Sequence, residues 1–238
     1  MQHKTQAVPL EGIPGDSASS DWSEVLMPDC SSEQAVKLAR QAEERGECGL
    51  LLRGAECYLR LAGGEADEKA ALEYAGMGRH LAVRAVERCP GSGLAHYLNA
   101  CLTGHMARLN PVQGLELVSV LEYEAGLAAE LDPAIDHGGP DRMLGELYLR
   151  APGFPVSVGD TEKSVLHYSR AVKIAPRWFD NRYGLVDALI ADGRIEEACL
   201  QLNDMFSGLE FCSRCDEEKW KKLLGLFRKL CASVESDR

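Results

Sequence analysis

From Ser31 onward, apolar residues recur at three- and four-residue spacing, and the runs are separated by short polar or Gly/Pro-containing breaks. This is the pattern of amphipathic helices that each bury one face. It predicts helices over about 31–46, 49–62, 65–89, 92–109, 111–131, 140–150, 161–175, 179–192, 194–207 and 214–233. Local signals agree with several of these starts. Ser31-Ser-Glu-Gln34 has the form of a capping box. Asn110-Pro111 offers an N-cap followed by a first-turn proline, and Asp160 is placed to cap the helix after it. The last helix carries Trp220, Leu223, Leu224, Phe227 and Leu230 at helical spacing and is expected to close the array as a cap. Residues 1–30 are polar and broken by Gly, Pro and Ser, so they read as a disordered acidic lead-in to a folded domain over 31–235.

Composition sharpens the helical reading. Leu (32) and Ala (27) far outnumber Val (14), Ile (5) and Thr (3) in the 238 residues. Leu and Ala cost little entropy in a helix, whereas β-branched residues favour strands, so a β-sandwich or large parallel sheet is excluded. With 37 acidic and 26 basic side chains, the net charge of −11 argues against nucleic acid and anionic membranes as partners. No run approaches the roughly 20 apolar residues needed to span a bilayer, so membrane insertion is not expected. The first 29 residues lack the apolar core of a signal peptide, and Met27-Pro-Asp29 does not resemble a lipid-attachment site before Cys30. A cytoplasmic location is therefore expected, or a periplasmic or lipoprotein one if translation starts further upstream. In a cytosolic chain the nine cysteines are expected to serve as small buried apolar residues rather than as a disulfide framework.

The chain repeats itself. Pro90, Pro133 and Pro176 are 43 residues apart, and each has Ala five positions before it, at Ala85, Ala128 and Ala171. A second echo pairs Glu56-Cys-Tyr58-Leu-Arg60 with Glu146-Leu-Tyr148-Leu-Arg150. Two echoes in the same order indicate stacked helix hairpins, with a small residue for close approach and a proline ending each second helix. The pattern resembles the tetratricopeptide repeat, most closely at Gly193-Arg-Ile-Glu-Glu-Ala198. That resemblance implies an all-α, right-handed solenoid of about four hairpins with long inter-helix insertions. Its units would span about 48–90, 91–133, 134–176 and 179–210, with a cap over 214–235. In the third unit the insertion is the loop from Ala151 to Asp160.

A narrower resemblance rests on His137-Gly-Gly-Pro-Asp-Arg142-Met-Leu-Gly145-Glu-Leu-Tyr148-Leu-Arg-Ala-Pro152-Gly-Phe-Pro155, then Val158-Gly-Asp160 and Asn181. These residues are similar to bacterial tetratricopeptide proteins of the TRAP-transporter-associated T-component type. That resemblance implies a helical-repeat protein paired with a periplasmic solute-binding partner, and a homo-oligomer as a further possibility.

Candidate chemistry is sparse. Cys212-Ser-Arg-Cys215 with Cys199 and Cys231 offers four thiolates for Zn²⁺, but only one close pair exists, and incidental thiols are the favoured reading. His96 and His105 are nine residues apart on one predicted helix and project from opposite sides. There is no Gly-x-Ser-x-Gly, no Walker-type loop and no dinucleotide fingerprint. No enzyme, cofactor or metal is therefore expected. Two interaction surfaces are. The first helices of the hairpins place Tyr97, Cys101, Tyr183, Asp187 and Ile190 on a concave face, where Tyr and Asp suit a mixed apolar and basic peptide. The 151–160 loop carries Phe154, flanked by Arg142, Arg150 and Asp160. Loops longer than a turn requires are often functional, although a Phe154 tucked beneath the neighbouring hairpin as a core seal is the favoured alternative. The expected role is a non-catalytic scaffold for a protein or peptide partner, with Tyr97, Arg142, Phe154, Tyr183 and Asp187 as binding residues. The alternative is an accessory component of a TRAP-type solute transport system.

Overall fold

In the computed structural model of the chain, which describes residues 30–207 and 217–236, Ser31 starts the first helix as its sequence predicts. Its hydroxyl accepts from the Gln34 N–H (3.2 Å) while the Gln34 side chain accepts from the Ser31 N–H (2.9 Å). Ten helices follow among the described residues. They are α1 (Ser32–Arg45), α2 (Cys48–Gly64), α3 (Glu68–Arg88), α4 (Gly93–Leu109) and α5 (Pro111–Leu131), then α6 (Gly139–Arg150), α7 (Thr161–Ile174), α8 (Phe179–Ala191), α9 (Ile195–Ser207) and α10 (Glu217–Ser236). One 3₁₀ turn, Ile135–His137, precedes α6. The fold is all-α, with consecutive helices packed in antiparallel pairs. The expected start of the last helix at 214 lies outside the described residues.

The 43-residue echo is a repeated helix end. α3, α5 and α7 stop at Cys89, Asp132 and Ala175, the residues before the three prolines, with φ/ψ of −138°/70°, −151°/86° and −131°/82°. Proline disfavours helical geometry in its predecessor, which accounts for these extended values. Each capping N–H still donates to the carbonyl of Ala85, Ala128 or Ala171, and all three alanines are fully buried. Beyond its partner in the hairpin, α2 touches α4, α4 touches α6, and α6 touches α8, so the first helices form a continuous row. Tyr168 of α7 is wedged between two of them. A Cβ at Gly145 would lie 2.6 Å from its ring, and one at Gly184 would lie 2.0 Å away, so larger residues there would force the helices apart.

Apolar burial runs the length of the row, with the largest cluster at its start. Leu38, Leu51, Tyr58, Leu81, Leu98 and Leu102 knit α1 to α4. Val186, Leu202, Met205 and Leu223 join α8, α9 and α10, where Phe206 meets Trp220 and Phe227 edge-on. An aromatic cluster thus packs α10 onto α8 and α9.

The cysteines are where the sequence reading requires correction. Six of them are paired as disulfides, Cys30–Cys57, Cys48–Cys89 and Cys199–Cys231, with Cα–Cα separations of 5.5, 6.3 and 5.5 Å. Antiparallel packing brings the start of α2 beside the end of α3, and the segment before α1 beside α2, so cysteines far apart in sequence become neighbours. Cys199 and Cys231 are bonded to each other, which removes them from any four-thiolate zinc site; Cys212 and Cys215 lie outside the described residues. Among the described residues Cys101 is a free thiol. Among the described residues no helix is long and apolar enough to cross a membrane.

Candidate interaction face

Four-residue steps place side chains on one side of a helix. Glu56 and Arg60 on α2, Tyr97, Cys101 and His105 on α4, Arg142, Glu146 and Arg150 on α6, and Tyr183 and Asp187 on α8 are spaced in this way along the row of first helices. Of the five residues singled out in the sequence, the structure gathers Tyr97 with Arg142, and Tyr183 with Asp187. Phe154 stands apart from both pairs.

Tyr97 and Arg142 meet in a polar knot that ties α4, α6 and α8 together. The Tyr97 hydroxyl donates to the Asp136 carboxylate (2.7 Å), which also pairs with the Arg142 guanidinium. Arg142 Nη1 donates to the Asp136 carbonyl (3.0 Å) and to Asn181 Oδ1 (2.9 Å). Asn181 Nδ2 in turn donates to the carbonyls of His137 (2.8 Å) and Ala171 (2.9 Å). Burial, followed by Cys101 and Asp136, holds the Tyr97 phenol well above its ordinary pKa, and burial pushes the Cys101 thiol up to about 12. Asp136 and His137 both have left-handed backbones (φ 46° and 57°), and Gly138 follows at φ 85°. Three such residues in succession turn the chain sharply and aim the Asp136 carboxylate back at Tyr97. Arg142 is therefore occupied internally. Asp136 escaped the sequence reading, although Asp-His-Gly-Gly, rich in residues that tolerate this backbone, marked the turn.

Toward α10 the charges are closed on one another. Arg150 donates to Glu146 (3.0 Å) and to Asp187 (3.1 Å). Glu146 also accepts from the Tyr168 hydroxyl (2.7 Å). Lys222 of α10 donates to the Tyr183 hydroxyl (2.7 Å) and lies 3.6 Å from Asp187, while Lys219 and Lys222 both sit over the Tyr183 ring. Lys219 and Lys222 of the chain's own α10 thus already engage Tyr183 and Asp187, the two residues expected to suit a mixed apolar and basic peptide.

At the α2–α4 end the polar groups are less fully paired. Arg60 Nη2 lies 3.5 Å from Glu56, but among the described residues Arg60 Nε and His105 Nδ1 are buried with no hydrogen-bond partner. Burial, then the charge of Arg108, lowers the His105 pKa. Two other histidines have internal roles: His96 meets Glu124 (2.6 Å) and the Pro90 carbonyl (3.0 Å), and His167 meets Asp141 (2.7 Å). His137 stacks on Trp178 at 3.9 Å.

Phe154 does not seal the core; Val158, at the other end of the loop, is the residue that packs on the cluster of Leu144 and Tyr148. Phe154 is 92% exposed, and Val156 is exposed beside it. The loop braces itself instead. Gly159 N–H donates to Pro152 O (2.9 Å), Val156 N–H to Gly153 O (3.1 Å), and Asp160 N–H to Tyr148 O (2.9 Å). A Cβ at Gly159 would fall 2.1 Å from Ala151 O, so the crossing accepts only glycine. Backbone pairing consumes the polar groups of the loop and leaves the apolar tip in solvent.

No protein-family model matches this chain, and no curated protein matches it.

Proposed function

We propose that this protein is a non-catalytic scaffold of tetratricopeptide type, which holds a protein or peptide partner along the row formed by α2, α4, α6 and α8, assisted by the tip of the 151–160 loop. The observation that carries the reading is the row itself, in which successive first helices touch and bring polar and aromatic side chains to equivalent positions. The exposed Phe154 on a braced loop supports a second point of contact, since a rigid apolar protrusion loses little entropy on insertion into a partner. Tyr183→Ala, Asp187→Ala and Phe154→Ser test the reading in affinity purification from the protein's own cells. Each variant is expected to keep its helical circular dichroism and lose the partner recovered with the native chain. Retention of that partner by all three would refute the assignment of this face.

A second reading has its own observation. Disulfides persist in oxidising compartments and are uncommon in the cytosol of mesophiles, so the three pairs favour an extracytoplasmic location over a cytoplasmic one. In that setting the scaffold would act as an accessory component of a solute transport system, with a solute-binding protein as its partner. Identification of the captured partner distinguishes the two readings.

A further inference from the structure

The three disulfides differ in how far solvent reaches them. Cys199 and Cys231 are both buried in the cluster that joins α8, α9 and α10. Cys30 is half-buried, but its partner Cys57 is 1% exposed within the core of α1 to α4. In the third pair, Cys48 and Cys89 are both half-buried. Their bond ties the first residue of α2 to the residue that caps the end of α3. The backbone beside each faces open space: a Cβ at Gly49 or Gly91 would meet nothing within 4 Å beyond its own chain neighbours and helix. Accessible disulfides are the ones that exchange with external thiols, because the attacking thiolate must reach a sulfur.

The two sulfurs are also unlike as leaving groups. Cys48 opens a 17-residue helix that no side chain caps and whose first turn carries no acidic residue. The positive end of α2 therefore favours a departing Cys48 thiolate. Cys89 stands at the negative end of α3, where its Sγ lies 2.9 Å from the Ala85 carbonyl oxygen. That oxygen accepts from a neutral thiol and disfavours a thiolate.

We propose that Cys48–Cys89 is a site of reversible thiol–disulfide exchange with a dithiol oxidoreductase. The oxidoreductase's first thiolate attacks Cys89 Sγ and forms a mixed disulfide. The Cys48–Cys89 bond breaks, and its electron pair leaves on Cys48, which takes a proton from water. The oxidoreductase's second thiolate then attacks its own sulfur in the mixed disulfide and releases Cys89, which is protonated to the thiol. Two electrons have passed to this chain, which ends as a dithiol while the oxidoreductase ends as a disulfide; the reverse sequence closes the bond. Opening it frees the start of α2 from the end of α3. Cys30–Cys57 still ties the segment before α1 to α2, and Cys199–Cys231 still ties α9 to α10. The assignment is independent of the partner proposed for the row of first helices.

The test exposes the full oxidised chain, without denaturant, to a series of reduced-glutathione concentrations. Samples are quenched in acid, alkylated and read by peptide mass spectrometry. Glutathione is a monothiol, so it stops at the mixed disulfide and records which sulfur was attacked. The expected result is that Cys48–Cys89 opens at least about tenfold faster than Cys199–Cys231, at a rate proportional to glutathione. Glutathione should be found on Cys89 and the alkyl label on Cys48. Dithiothreitol, a dithiol, should then leave both cysteines alkylated while the other two bonds remain closed. Opening of either other bond first or at the same rate, a rate independent of glutathione, or no opening at all overturns the proposal. So does glutathione carried chiefly by Cys48. The native chain serves throughout, so misfolding of a variant does not enter.

Discussion

The two ends of the row carry the same Glu-x-Tyr-x-Arg motif and use it differently. At α6 the arginine is closed by acids on two helices, and α10 adds lysines that close the neighbouring Tyr183 and Asp187 as well. At α2, among the described residues, the arginine keeps a buried nitrogen without a hydrogen-bond partner, and so does His105 on α4. Identical local sequence therefore does not determine role. What decides is the residue that the following helix presents: Asp187 in one case, Cys101 and His105 in the other. Charges that neutralise each other across α6, α8 and α10 lock those helices together, whereas a buried polar group left unmatched costs stability.

The comparison can be broken most directly at the knot between the two ends. Arg142→Ala removes the cation that faces Asp136 and the donor to Asn181 Oδ1 and should cost about 3–5 kcal/mol, the penalty for breaking a largely buried charge network; urea unfolding would show it as a lower midpoint at unchanged slope. Loss of the Cys48–Cys89 bridge in Cys48→Ser should cost about 2–4 kcal/mol, because the bridge closes a long loop of the unfolded chain. A midpoint unchanged by dithiothreitol would show that the staple contributes nothing. Arg150→Ala, at the closed end, should cost only about 0.5–1 kcal/mol, since its own side chain is more than half exposed.

The open end should respond to pH. Because burial lowers the His105 pKa in the fold, protonation favours the unfolded chain. The stability contributed by the neutral ring is complete above the unfolded histidine value of about 6.5 and declines as pH falls below it. His105→Gln should flatten that part of the stability profile in thermal melts taken across the range, and an unaltered profile would contradict the assignment. The smallest effect is expected for Phe154→Ser, within about 0.5 kcal/mol of the native chain, since the ring contributes little to the core.

How much of this was legible in the sequence depended on whether the signal was local. All ten helices were, because apolar spacing, the Ser31 box and the Asn110 and Asp160 caps are read within a few residues. The 43-residue echo was legible too, as it repeats a helix end that proline enforces locally. Pairings across helices were not. Cys48 and Cys89 are 41 residues apart, and only the antiparallel register brings them together. Asp136 depended on a backbone turn whose carboxylate target, Tyr97, lies 39 residues away. Phe154 was expected to be buried on hydrophobicity alone, but the backbone pairing of its loop decides its exposure. The contact of Asp187 with Lys222 was not legible, because α10 is distant from it in sequence.

The claim on which the account rests is that the first helices form the binding face. Hydrogen–deuterium exchange of the native chain, alone and with its captured partner, tests this directly. The account predicts added protection in peptides covering α4, α6 and α8 and in the 151–160 loop, with α3, α5, α7 and α9 unchanged. Protection confined to the second helices, with the row of first helices exchanging as in the free chain, would contradict it.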